Sequence, residues 1–96
     1  MTSRTLHHSL HLDDIGAPLA VLDSSACVLE ASPSAAALLA RFQLAAPPPS
    51  PLLPELAREL ASAPFGVPIM WGPRAGLVLG CTRYLMSEGR RLLLMR

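Results

Sequence analysis

The chain of 96 residues lacks lysine, has few aromatic residues and contains no long apolar run. Its eight basic residues are all arginine, and with seven acidic residues they leave a net charge of +1. Because no basic patch is interleaved with aromatic residues, we expect no nucleic acid partner. No apolar stretch approaches the roughly 20 residues that span a bilayer, and residues 1–12 lack the apolar core of a signal peptide. We therefore expect a cytoplasmic domain without direct membrane insertion.

Motifs of catalysis and metal binding are missing as well. The sequence contains no HExxH motif and no glycine-rich phosphate loop. It also contains no convincing motif for a nucleophile with its base or for a catalytic pair of carboxylates. We therefore predict that the domain is not an enzyme. Among the three histidines, His7 and His11 have the i, i+4 spacing that can hold an ion on a helix. Since no further ligand lies beside them at a suitable spacing, we predict no metal site.

Hydrophobic residues make up 51% of the chain, enough for one small core. The chain is organised around residues 19–42, which read as a strand, a tight turn at Ser24 and Ser25, a second strand and a helix. Apolar residues that alternate with their neighbours are typical of half-buried strands. In these two strands the alternating residues are Leu19, Val21, Cys27 and Leu29.

The helix after the second strand has a clear start and a clear apolar face. Ser32 is a good N-cap, because its hydroxyl can accept a hydrogen bond from an amide of the first turn. Pro33 suits the first helical position, where no N–H is needed. Residues at i, i+3, i+4 and i+7 then form one apolar stripe. These residues are Ala35, Leu38, Leu39 and Phe42.

The second half of the chain reads as a connector, a short helix and three strands. Residues 47–51 contain four prolines and predict a stiff connector. Pro68 places the first of the three strands at a sheet edge, whereas the last is apolar on both faces and should be central. The predicted ranges are a helix from about 53 to 63, strands at 67–71, 77–86 and 90–96, and turns at 72–76 and 87–89.

The residues VLDSSACVLEASPSAAALLA, from Val21 to Ala40, resemble the opening of a PAS domain. The family pattern is roughly V-L-D-x-x-G-x-I-x-x-A-N-P-A-A-x-x-L-L-G. This chain departs from it at Ala26, at Ser32 and at the closing Ala40. Ser32 keeps the capping chemistry of the usual asparagine. Ala26, where glycine is usual, predicts a turn that needs no positive φ at this position.

The resemblance implies an α+β fold with a five-stranded antiparallel sheet, in the order 2-1-5-4-3, and short helices on one face. This PAS-like domain would cover residues 16–96 and follow an N-terminal helical or flexible segment at residues 1–15. The proline-rich connector stands where further helices are usual, so we expect any ligand pocket to be small or absent. In this order Cys27 and Cys81 lie three strand spacings, roughly 14 Å, apart. We therefore predict two free thiols.

The resemblance also bears on cofactors and function. The Asn-Cys-Arg-Phe-Leu-Gln stretch of flavin-binding PAS domains is absent, and no histidine follows the first strand to bind haem, so we expect no cofactor. The implied function is a sensory and dimerisation module of a bacterial signal-transduction protein, namely the input domain of a histidine kinase in a two-component system. The alternative is a stand-alone protein–protein interaction adaptor with no small-molecule ligand. A gene that continues past Arg96 into a helix and a kinase signature would favour the kinase.

Self-association is expected from the distribution of apolar surface. The helices cover one face of the predicted sheet, and the N-terminal segment alone is available for the other. Because small monomers rarely leave a large apolar patch uncovered, we expect a two-fold homodimer that passes a change in orientation to other signalling-protein domains. The expected dimer contacts are Leu6, Leu10, Ile15, Tyr84 and Met86.

Overall fold

The computed structural model of the protein describes residues 16–74 and 77–96. A short 3-10 turn at Ser87–Gly89 joins the last two strands. In chain order the other elements are β1 (Leu19–Leu22), β2 (Cys27–Ala31), α1 (Pro33–Arg41), β3 (Ser50–Pro51), α2 (Pro54–Ser62), β4 (Ile69–Arg74), β5 (Leu77–Leu85) and β6 (Arg91–Met95).

These strands form one antiparallel sheet in the order β3-β2-β1-β6-β5-β4. Together with the two helices, this sheet confirms the predicted α+β class. The predicted strand count is wrong, because the described residues form a sheet of six strands rather than five, and the order 2-1-5-4-3 changes with it. Among the five longer strands, each strand still lies beside the neighbour that the prediction gave it.

The additional strand, β3, comes from the proline-rich connector. Its two residues pair with Cys27 and Val28 of β2, and the amide of Leu52 donates a hydrogen bond to the carbonyl of Ala26 at 3.0 Å. One residue of β3 is a proline and has no N–H to donate. Such a residue is tolerated on an edge strand, where one side of the backbone needs no partner.

The first helix begins as its sequence predicts. Ser32 is the N-cap and its hydroxyl accepts a hydrogen bond from the amide of Ala35 at 3.3 Å, while Pro33 is the first helical residue. Ala35 and Leu39 are buried on the side that faces the sheet. The apolar stripe therefore has the predicted phase.

The core lies between one face of the sheet and the two helices. Helix α2 follows Leu53, which offers no side-chain cap, and it buries Leu56 and Leu60. We call the face of the sheet that packs against the helices the inner face. The buried cluster consists of Ala20, Leu22, Val28, Ala35, Leu39, Leu44, Leu52, Leu56, Leu60, Leu79, Cys81, Leu93 and Met95.

The β4–β5 connection is shorter than the predicted turn at 72–76. Strand β4 continues to Arg74, which pairs with Leu77 after an irregularity in the register. Pro73 can belong to this strand because β4 is the other edge of the sheet, as the position of Pro68 predicts. The turn at 87–89 forms as expected.

The turn between β1 and β2 contradicts the prediction made from Ala26. This alanine has a φ of 64°, in the left-handed region, although no positive φ was expected there. The carboxylate of Asp23 accepts hydrogen bonds from the amides of Ser25 at 2.8 Å and Cys27 at 2.9 Å. This side-chain-to-backbone turn sets the path of the chain. As a result, Ala26 adopts a conformation that is sterically unfavourable for a residue with a Cβ.

Replacing Ala26 by glycine should therefore stabilise the domain. We expect Ala26→Gly to raise the free energy of unfolding by about 0.5–1 kcal/mol, because glycine enters the left-handed region without steric cost while its looser unfolded chain offsets part of the gain. Urea denaturation measures the change. Ala31→Gly, the same substitution within β2, should instead lower stability, and equal losses in both variants would contradict the interpretation of the turn.

Candidate functional site

The side of the sheet opposite the helices, which we call the outer face, carries three large exposed apolar side chains of β4 and β5. Side chains alternate across a strand, so the register places Val78, Tyr84 and Met70 on this face, opposite the strand positions that fill the core. Their exposed fractions are 56%, 42% and 70%. The described helices pack on the inner face, and neither α1 nor α2 covers this one.

A groove of ≈ 320 Å³ runs across the exposed end of the outer face. Its floor includes Gly80, where the absence of a side chain leaves space beside the sulfur of Met70; an added Cβ would lie 3.7 Å from that sulfur. The residues that line the groove are Gly66, Pro68, Met70, Gly80, Thr82, Tyr84 and Arg96. The groove thus combines apolar side chains with two hydroxyl groups and one cation.

Charge on the outer face is sparse and divided between its two ends. Glu30 is paired with Val21 across β1 and β2 and is exposed. Arg96 exchanges backbone hydrogen bonds with Gly80 at 2.9 and 3.0 Å and lines the groove. The middle of the face carries only uncharged residues from β1, β5 and β6. The exposed apolar side chains of Met70, Val78 and Tyr84 therefore lie towards the basic end of the face, whereas Val21, beside Glu30, is buried.

The predicted dimer contacts fall into two groups. Tyr84 lies on the outer face, and Met86 follows β5 half-buried, at the start of the turn. Leu6, Leu10 and Ile15 lie outside the described residues.

The prediction omitted Met70 and Arg96, which the structure places beside Tyr84. Alternation along each strand indicates which residues share a face. The position of Met70 across from Gly80 depends on the β4–β5 register, and no signal in the sequence sets that register.

The two arginines at the end of the β5–β6 hairpin lie on the inner face. Arg83 and Arg91 line a cavity of ≈ 60 Å³ between the sheet and α2. This volume is far below the roughly 300–1,000 Å³ of pockets that hold drug-sized ligands. This cavity thus has space only for a small molecule.

The cysteines are both free, which confirms the prediction. Burial raises the pKa of the Cys81 thiol to about 11, so this thiol is protonated and unreactive at neutral pH. Cys27 is half-buried on β2. Neither arrangement provides a nucleophile with an adjacent base.

Residues 16–74 and 77–96 hold neither a cluster of metal ligands nor a membrane-spanning helix. Within these ranges no group of three or more His, Cys, Asp or Glu side chains could hold a metal ion. None of the helices described has the length and apolar character needed to cross a membrane. His7 and His11 lie outside these ranges.

Comparison of the chain with known proteins returned nothing similar: no protein family, curated protein or solved structure matches it.

Proposed function

We propose that this chain is a PAS-type sensory and dimerisation domain of a cytoplasmic signalling protein, acting as the input domain of a histidine kinase. The observation that carries the proposal is the exposed apolar outer face formed by Met70, Val78 and Tyr84. The choice of family rests on the PAS-like run from Val21 to Ala40. The function follows from the apolar face and from that resemblance.

A second copy of the chain is the partner that this face fits. In a two-fold interface the same patch occurs on both sides, so residue i of one copy contacts residue j of the other and the reverse. With an acidic end at Glu30 and a basic end at Arg96, two copies in opposite orientations place unlike charges together at both ends. The exposed apolar side chains of the face then contact the other copy and leave water.

Dimerisation by this face would also explain how the domain signals. Strand β6 lies in the middle of the sheet and ends at Met95, one residue before Arg96. A change in the packing of two outer faces would change the distance and angle between the two copies of this strand end. Any output segment joined there would receive that change directly.

We expect the intact chain to sediment as a dimer at tens of micromolar, and Tyr84→Glu to weaken its association by roughly tenfold or more, because the carboxylate would be buried without a partner. Analytical ultracentrifugation over a concentration series measures the dissociation constant. Leu85→Glu is the matched control. Leu85 is the next residue of β5 and is 61% exposed, but its side chain belongs to the other side of the sheet.

A charge exchange tests the two-fold arrangement separately. Glu30→Arg and Arg96→Glu should each weaken the dimer. The double variant should recover most of the lost affinity, because it exchanges the acidic and basic residues and again places unlike charges together. A monomer at every concentration would refute the dimer. Equal weakening by Tyr84→Glu and Leu85→Glu would assign the contact to another surface.

The alternative, an adaptor that binds a different protein, would use the same outer face. The same experiment separates the two functions, because an adaptor of this kind remains monomeric alone. The sparse charge of the face and its self-complementary ends favour the dimer.

A further inference from the structure

Two arginines meet at one end of the inner face, on the side of the sheet opposite the proposed dimer contact. Arg83 on β5 pairs with Leu93, and Arg91 on β6 pairs with Leu85, so the two arginines are diagonal neighbours on one face. Both guanidinium groups approach the ring of Phe65, with the Cζ atoms 4.4 Å and 5.9 Å from its centroid. Two positive charges therefore lie close to a single aromatic ring.

Their hydrogen bonds leave donor capacity unused. Arg83 donates from Nη2 to the carbonyl of Ala63 at 2.9 Å, and Arg91 donates from Nη1 to the carbonyl of Gly89. The Nε of Arg83 is buried and has no hydrogen-bond partner among the described residues. A guanidinium carries five N–H donors, and leaving a buried one unpaired costs free energy.

The electrostatic environment of the two arginines also favours a bound anion. Burial and then the like charge of Arg91 lower the pKa of Arg83 below its ordinary value. In the described part of the chain no carboxylate offsets these two causes. Two cations that are partly removed from water and lie near each other are stabilised when an anion joins them.

The cavity beside the pair has the size of a small anion. Its volume is ≈ 60 Å³, and Ala57 and Leu60 of α2 form an apolar wall. Asp23 and Ser24, from the β1–β2 turn, complete the rim. The Oδ1 atom of Asp23 is already engaged with two backbone amides, whereas Ser24 is exposed and free to turn its hydroxyl towards the cavity.

We propose that this cavity is a binding site for a small carboxylate anion, which the guanidinium groups of Arg83 and Arg91 hold. The planar guanidinium matches the two oxygens of a carboxylate, and the apolar wall suits a short alkyl group. The negative charge of Asp23 on the rim disfavours ions with two charges. A monocarboxylate such as acetate should therefore bind more tightly than inorganic phosphate. The site is independent of the proposed dimer.

Titration of the intact chain with sodium acetate tests the site, with sodium chloride added to hold the ionic strength at about 0.1 M, where the Debye length is about 10 Å. We expect the Nε–Hε signal of Arg83 to shift in ¹H–¹⁵N spectra and to saturate, together with the amides of Ser24 and Ala61. Inorganic phosphate, titrated in the same way, should bind more weakly. Phosphate binding more tightly than acetate would refute the carboxylate preference and leave a general oxyanion site.

Variants separate the site from general charge effects. Arg91→Gln should weaken acetate binding by about tenfold or more, because one charge-assisted partner is lost. Arg90→Gln removes the same charge from an exposed neighbour outside the cavity and should bind acetate as the wild type does. Equal weakening in both variants, or no saturable shift of Arg83 in the wild type, would overturn the proposal. The wild-type titration decides the question even where a variant folds poorly.

Discussion

Leu39→Ala should lower the free energy of unfolding by about 2–5 kcal/mol. Leu39 is 1% exposed and lies on α1, where it packs into the buried cluster with Val28 of β2 and Leu44 after the helix. Truncation removes its buried methyl groups and leaves a cavity that the surrounding strands can fill only in part. Because small domains have only about 5–15 kcal/mol of stability, this loss would be a large fraction of the total. Urea denaturation measures it.

Leu38→Ala is the matched control on the same helix. Leu38 is only half-buried, so the same truncation removes less surface from contact and should cost clearly less. A loss below about 0.5 kcal/mol for Leu39→Ala would mean that the apolar stripe faces solvent. Equal losses for the two variants would contradict the rotation of α1 on the sheet.

Ser32→Ala should be the second most damaging change, at roughly 1–3 kcal/mol. Ser32 is fully buried, and its hydroxyl does more than cap the helix. The Oγ atom accepts hydrogen bonds from the amides of Leu19 at 3.0 Å and Ala35 at 3.3 Å, and it donates to the carbonyl of Ala17 at 2.8 Å. Alanine would leave these three backbone groups without this partner at the junction of β1 and α1.

Ser34→Ala provides the comparison for this substitution. The hydroxyl of Ser34 donates to the carbonyl of Gly16 at 3.0 Å in an exposed position, where water can replace it. We expect a change within about 0.5 kcal/mol. If thermal and urea unfolding showed no greater loss for Ser32→Ala than for Ser34→Ala, the buried hydroxyl would contribute nothing beyond a solvent hydrogen bond.

The alternation of apolar residues and the chemistry of a few positions were enough to predict most of the elements. Ser32 and Pro33 mark the start of α1, and the predicted helix at about 53–63 matches α2. Pro68 and the apolar run at 92–95 indicate an edge strand and a central strand. These signals are local, because each depends on the backbone preferences and side-chain periodicity of neighbouring residues.

Features that depend on partners distant in sequence were not predicted. The strand at Ser50–Pro51 exists because β2 offers it an open edge. The left-handed Ala26 follows from the two amides that Asp23 binds, and the extension of β4 through Pro73 follows from its place at the edge. Considered alone, proline disfavours a β-strand and alanine disfavours a positive φ.

The candidate sites likewise have some features that the sequence predicts and others that depend on partners distant in sequence. The sequence by itself determined which residues alternate along each strand, and therefore that Tyr84 shares a face with Val78. Only the tertiary structure decided that Met70 lies across from Gly80, and that Arg83 and Arg91 turn towards the helices and meet at Phe65. Periodicity specifies the face of a side chain within one strand, whereas the neighbours across strands depend on register and on which face the helices cover.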